Sequence, residues 1–262
     1  MYTTSLISNK QKELDLESLS SIKKFAVEIG KSDLKTLDFL VMNAGIMAIP
    51  NKEITAAGFE KQIGVNHVGH FLLCAELEQL YMGTPNSRVI SVASSAHSMA
   101  SDSWLSDLDY KDTIYTPWEA YGRSKRANIH FSKSLQSKIT LLNSKSSVRT
   151  VSLHPGVIKT PLWRYTPAKY GIFAWALGAI MANKTPSQGA STTLYAISSP
   201  RIAQPDMEGV YLDDCSPKEP SIKHTRDGEK LWTWTSKRLK VALVEQGLSI
   251  PKSEIFFPEV RL

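Results

Sequence analysis

Short apolar runs of strand length alternate along this chain with longer stretches whose apolar positions recur every three or four residues. Residues 12–16 read as a short strand. Ser18, Leu19, Ile22, Phe25, Ala26 and Ile29 then fall on one helical face, with a stop at Gly30. Residues 37–42 form a second, buried strand, residues 57–81 a long helix, and residues 88–93 (RVISVA) a third strand rich in β-branched side chains. Thr116-Pro117-Trp118-Glu119 has the chemistry of a capping box with proline at the first helical position, so a helix is predicted from there to about Leu142. Residues 148–153 read as a fourth strand. Thr185-Pro186-Ser187-Gln188 repeats the cap for a helix through Ile197; residues 210–213 give a last strand and residues 227–246 an amphipathic closing helix.

Strands alternating with helices predict βαβ units around a parallel sheet, an α/β fold of the doubly wound Rossmann type. The 262 residues, 42% of them apolar, suffice for one substantial core, and no repeat or low-complexity linker divides them, so a single domain over residues 1–262 is expected.

The formal charge of +6 changes this picture little, because the 31 Lys and Arg residues are scattered. Lys23-Lys24 and Lys237-Arg238-Leu239-Lys240 sit on amphipathic helices and read as solvated faces, which argues against nucleic acid. Cys74 and Cys215 lack paired spacing, so neither a disulfide framework nor a zinc site is indicated. A reducing intracellular compartment, the cytoplasm, fits, and peripheral association with a membrane stays open. The opening residues lack the charged and apolar pattern of a secretory signal. The most apolar stretch, residues 170–182, is shorter than the roughly 20 residues of a membrane span and reads as a substrate lid or a buried helix.

The strongest chemical signal is Tyr121-Gly122-Arg123-Ser124-Lys125. A tyrosine and a lysine four apart share one helix face, where an ammonium can stabilise a phenolate and bring a phenol of ordinary pKa near 10 toward working pH. His67 and His70 are three apart, but no carboxylate or cysteine at supporting spacing completes a metal site, so no metal is expected. Asp213, Asp214 and Cys215 read as a turn. Ser94 with a histidine base lacks a G-x-S-x-G elbow.

Leu40-Val41-Met42-Asn43-Ala44-Gly45 ends one strand, Val65-Asn66-His67-Val68-Gly69-His70-Phe71 lies in a helix, RVISVASS ends another strand, and His154-Pro155-Gly156 follows a fourth. In this order, with Tyr121 and Lys125, they resemble the short-chain dehydrogenase/reductase family, and NAGIMAIP, VNHVGHF and GVYLDDC resemble its retinol-dehydrogenase branch. The resemblance implies an NAD(P)-dependent oxidoreductase interconverting an alcohol and a carbonyl. Its catalytic tetrad would fall on Asn66, Ser94, Tyr121 and Lys125. Tyr121 would exchange a proton with the substrate oxygen, which Ser94 holds; Lys125 would lower the phenol pKa and grip the nicotinamide ribose, and Asn66 would hold a proton-relaying water. Counting six from Arg88 selects Ser94 over Ser91 and Ser95.

The resemblance also implies cofactor contacts at Asp15 (adenine), at Asn43, Ala44 and Gly45 (adenosine ribose), and at Pro155, Gly156, Val157 and Thr160 (nicotinamide). A moderately apolar substrate and a homodimer follow from the family, the latter through a second face of the 116–142 helix bearing Ala120, Ser124, Ala127, Phe131 and Leu135. The departure is the phosphate site. Family members open with a strand and a glycine-rich turn, T-G-x-x-x-G-I-G, whose amides hold the pyrophosphate; here the first glycine is Gly30. The first two strands are therefore expected to be missing, leaving the sheet N-terminally truncated, and NAD cannot be told from NADP. An incomplete gene model or isoform is the favoured account, over a complemented fragment. The competing class is a non-catalytic interaction module, a pseudoenzyme on a broken dehydrogenase fold.

Overall fold

In the computed structural model, which describes residues 12–158, 184–222 and 226–258, four of the apolar runs lie side by side. β1 (Phe39–Met42), β2 (Arg88–Val92), β3 (Arg149–His154) and β4 (Val210–Asp213) pair in parallel and in chain order, and β5 (Ser216–Pro217) adds a short antiparallel edge. Every residue of the central β2 is buried, as a parallel strand covered on both faces requires. Val89 faces one apolar cluster, and Ile90 and Val92 face another across the sheet. The α/β expectation holds. β1 pairs only with β2, so among the described residues its outer edge carries no neighbouring strand.

The helices are α1 (Leu19–Gly30), α2 (Lys61–Ile63), α3 (His70–Glu76), α4 (Glu78–Met82), α5 (Pro117–Leu142), α6 (Pro186–Ser198) and α7 (Asp227–Glu245). α5 and α7 pack together through aromatic rings: Phe131 stacks on Trp232 at 5.8 Å, and Phe71 meets Trp232 and Phe256, each at 4.9 Å. Such rings bring large buried area with defined geometry. Among the described residues no helix is long and apolar enough to cross a membrane; residues 170–182 lie outside them.

Three expectations about local structure are corrected. Residues 12–16 join no strand. Asp15 instead opens a turn, its carboxylate accepting from Glu17 N–H at 2.9 Å, and Ser18 caps α1. Leu16 turns into the core, its carbonyl pressed on Gly69 so closely that a Cβ there would lie 2.3 Å away. Without a neighbouring strand to supply a ladder, local side-chain bonds decide this segment.

The helix expected over 57–81 is broken. Ile54 bridges to Glu60, which delays the start to Lys61; a π turn spans Gly64–Gly69, and Leu77 interrupts the helix again. The capping box forms at Thr185 but not at Thr116. There Glu119 is drawn instead to Arg123, at 2.8 Å.

The face of α5 expected to pair in a homodimer is consumed inside the chain. Ala120, Ser124, Ala127, Phe131 and Leu135 are all buried, and residues 120–132 are buried without a break. A second copy has no surface to use there.

Candidate active site

The strand register aligns the carboxyl ends of β1, β2 and β3, with Met42 beside Ser91 and Val92 beside Leu153. Asn43-Ala44-Gly45, Ser94 and Pro155-Gly156-Val157 therefore leave the sheet on one side, where ligands of open α/β sheets bind. Asn43 and Ala44 are exposed there, and Pro155, Gly156 and Val157 are half-buried. Asp15 is exposed in the turn before α1, its carboxylate engaged by Glu17. Thr160 lies outside the described residues.

α5 lies beneath this edge and presents Tyr121 and Lys125 from one face. The Lys125 ammonium donates to Val92 O at 2.9 Å and sits 5.6 Å from the centre of the Tyr121 ring. Burial lowers its pKa to about 8. Burial likewise pushes the Tyr121 phenol up to about 12, partly offset by a hydrogen bond with Ser94. The expected lowering of the phenol is thus outweighed in the protein alone by desolvation, which disfavours a phenolate as it disfavours an ammonium.

Ser94 caps the 3-10 turn Ser95–Met99, its hydroxyl accepting from Ala96 N–H at 3.2 Å while it meets Tyr121. Of the competing serines, Ser91 is buried within β2 and Ser95 is exposed. Gly122 lets this turn approach α5: a Cβ there would come within 2.7 Å of Ala96 O. Met47, Ala48 and Ala96 cluster with Tyr121, and Trp118 packs edge-on to its ring at 6.2 Å.

Asn66 is fully buried in the π turn. Its Oδ1 accepts from Ile46 N–H, and its Nδ2 donates to Ile46 O and Ser124 Oγ, each at 2.9 Å. Both amide hydrogens are spent, so only one Oδ1 lone pair is left for the expected water. Gly45 closes the group: a Cβ there would lie 2.9 Å from Asn66 Oδ1 and 3.6 Å from Lys125 Nζ.

Sequence reasoning missed Gln62. One turn before Asn66 and wholly buried, it accepts from Ala48 N–H at 2.8 Å and donates to Tyr115 Oη and Pro117 O at 2.9 and 3.1 Å, tying the loop after β1 to the start of α5. An amide one helical turn before Asn66 was the available signal. His67 and His70 are spent on Thr235 Oγ1 and Asn66 O, at 2.9 and 3.0 Å. Asp214 and Cys215 form the left-handed turn between β4 and β5. A groove of about 860 Å³ along the end of α5 and that hairpin, lined by Lys133, Gln136 and Tyr211, touches none of the tetrad.

A family model described as short chain dehydrogenase matches residues 8–106. Mouse retinol dehydrogenase 13 is 32% identical over 252 residues, which cover 93% of this chain and 73% of that protein. The chain belongs to the short-chain dehydrogenase/reductase family. Human retinol dehydrogenase 14 is 35% identical over 229 residues, 84% of this chain, but the chain spans only 64% of that protein's length. The crystal structure of an uncharacterized protein from Mycobacterium Paratuberculosis, 32% identical, superposes with a TM-score of 0.64 over 87% of this chain and 75% of that one. This member of the family thus shares the fold of its relatives and is similar to the retinol dehydrogenases among them.

Proposed function

We propose that this site transfers a hydride between a nicotinamide cofactor, NAD or NADP, and a moderately apolar alcohol or carbonyl. The observation that carries the reading is that Ser94, at the carboxyl edge of the sheet, and Tyr121, on α5, come together there, backed by a buried lysine one helical turn on.

The residues present fit the nicotinamide-nucleoside half of such a cofactor. Lys125 would hold the nicotinamide ribose and Pro155, Gly156 and Val157 would line the nicotinamide, while Asn43, Ala44 and Gly45 would border the adenosine ribose. When bound, the cofactor supplies or takes the hydride. Ser94 orients the substrate oxygen by hydrogen bonding. At neutral pH the Tyr121 phenol carries its proton, so it is the acid for a forming alkoxide: its O–H breaks, the substrate O–H forms, and solvent restores the proton. In the oxidation direction the phenolate must be stabilised, and the Lys125 ammonium is placed to do so. Met47, Ala48, Ala96 and Trp118 give the reacting oxygen an apolar, water-excluding surround.

The test is an assay with NAD(H) and NADP(H) and a panel of aliphatic and polyene alcohols and aldehydes. The chain is assayed alone and preceded by two strands and their helices, with a glycine-rich turn after the first strand. Turnover by the extended chain, lost in Tyr121→Phe, is expected. No turnover in either form, or turnover indifferent to Tyr121→Phe, would overturn the reading.

A further inference from the structure

Two imidazoles grip the two ends of one peptide group beside Tyr121. The carbonyl of Ser94 lies 2.7 Å from His97 Nδ1, and the N–H of Ser95, the other end of the same peptide, donates to His154 Nδ1 at 3.2 Å. A carbonyl only accepts, so His97 carries a proton on Nδ1; its Nε2 accepts from Ser221 N–H at 3.0 Å and carries none. His154 accepts through Nδ1, so its proton sits on Nε2. Each ring is therefore a neutral imidazole in a defined and opposite tautomer.

Both rings are built in. His97 is 5% exposed, its edge against the Tyr211 ring at 5.5 Å; His154 is 8% exposed at the end of β3, in register with Asp213. His97 faces Arg126 from α5, with Asp213 and Lys218 from the β4–β5 hairpin. His154 faces Asp213, Lys184, His97 and Lys218. Burial outweighs the attraction of Asp213 and lowers both rings below the ordinary histidine range.

We infer that His97 and His154 are positioning residues: together they fix the plane of the Ser94–Ser95 peptide and thereby aim the Ser94 hydroxyl at Tyr121. Protonation of either ring sets a ring N–H against a backbone N–H, at Ser95 or at Ser221, and releases the clamp. The kinetic consequence rests on the dehydrogenase reading; the clamp itself does not.

The experiment uses the 262-residue chain labelled with ¹⁵N-histidine and uniformly at backbone amides. Two-bond proton–nitrogen correlation should show His97 as the Nδ1–H tautomer and His154 as the Nε2–H tautomer at pH 7.5, both protonating below pH 6.5. Hydrogen exchange at the Ser95 amide should be about ten-fold faster in His154→Ala, the equivalent of one lost hydrogen bond, and should return to wild type in His154→Asn, whose Oδ1 takes the place of Nδ1. In an active extended chain, kcat should fall about ten-fold in His154→Ala, KM for cofactor should stay constant, and the Asn variant should restore kcat. The opposite tautomer at either ring, or Ser95 exchange indifferent to His154→Ala, overturns the clamp. If His154→Ala fails to fold, the wild-type tautomers and the Asn variant still decide it. An extended wild-type chain without turnover defeats only the dehydrogenase reading.

Discussion

Asn66 Nδ2 donates to Ser124 Oγ across 2.9 Å, and this bond joins the π turn to the helix that carries Tyr121 and Lys125. The same amide holds Ile46 at both its N–H and its carbonyl, so one buried side chain fastens the loop after β1 to α5. Asn66→Ala takes the partner from the N–H and the carbonyl of half-buried Ile46, at about 1–3 kcal/mol each, while Ser124 Oγ keeps its bond to Tyr121 O. A loss of at least about 2 kcal/mol in urea unfolding is expected. A loss below 0.5 kcal/mol (roughly the scatter of neutral surface changes) would remove Asn66 as a structural fastener.

Tyr121 and Lys125 should separate catalysis from stability. In the extended chain, Tyr121→Phe removes the transferable proton and should cut turnover by at least about 10²-fold while cofactor titrations stay unchanged. Lys125→Met should abolish both turnover and cofactor affinity. Among the described residues its buried ammonium has no carboxylate partner, and Asn128 also donates to Val92 O, so removing the charge should leave the unfolding midpoint unchanged or raised. A sharply lowered midpoint would show that Lys125 serves the fold.

Stability should fall as pH drops from 6.5 to 4.5. Burial lowers His67 to about 3, and His70 and His130 to about 4, so the unfolded chain takes these protons first and the stability they lend above 6.5 is lost on acidification. Glu60 runs the other way. Raised by burial to about 7, it binds its proton in the folded state first, and in this window acid favours folding through it. These three histidines against one glutamate leave a net uptake of about two protons on unfolding, a slope of about 3 kcal/mol per pH unit, to which His97 and His154, lowered by burial too, add in the same direction. Urea midpoints at half-unit steps of pH measure it, and a flat or rising profile toward pH 4.5 would refute it.

Cofactor binding by the 262-residue chain alone should be weak. No glycine-rich turn is available for the pyrophosphate, and each missing hydrogen bond to a charged group is worth about 1.5–3 kcal/mol, so several together weaken affinity by orders of magnitude. Calorimetric titration with NAD(H) and NADP(H) should show no micromolar binding and no turnover. Micromolar binding with turnover abolished by Tyr121→Phe would show that the amide cradle is dispensable.

The elements with long periodic patterns were legible from sequence. α5 and α7 begin and end within a residue of expectation, and four of the five expected strands pair, because apolar periodicity reports burial and burial is what the fold rewards. What failed depended on partners distant in sequence. Residues 12–16 have strand-like polarity but no ladder, and the helix at 57–81 is rerouted by the Ile54–Glu60 bridge. At the site, spacing puts Tyr121 and Lys125 on one helix face and the family resemblance singles them out, but neither reveals that Asn66 and Gln62 hold the loop, nor that burial raises the phenol, since these follow from what packs above and below.

The wider turn at Gly64–Gly69 also sets a phase. In an uninterrupted α-helix each residue advances by about 100°, so the extra residue accommodated there offsets everything after it relative to everything before. Gln62 lies on one side of that offset and His70, bonded to the Asn66 carbonyl, on the other. Deleting one residue between them would let the backbone relax to regular pitch, yet would swing either Gln62 away from Ala48 and Pro117 or Phe71 away from Trp232. Length in this segment is therefore less negotiable than composition, and a shortened helix would cost the site its frame even with Asn66, Ser94, Tyr121 and Lys125 all present.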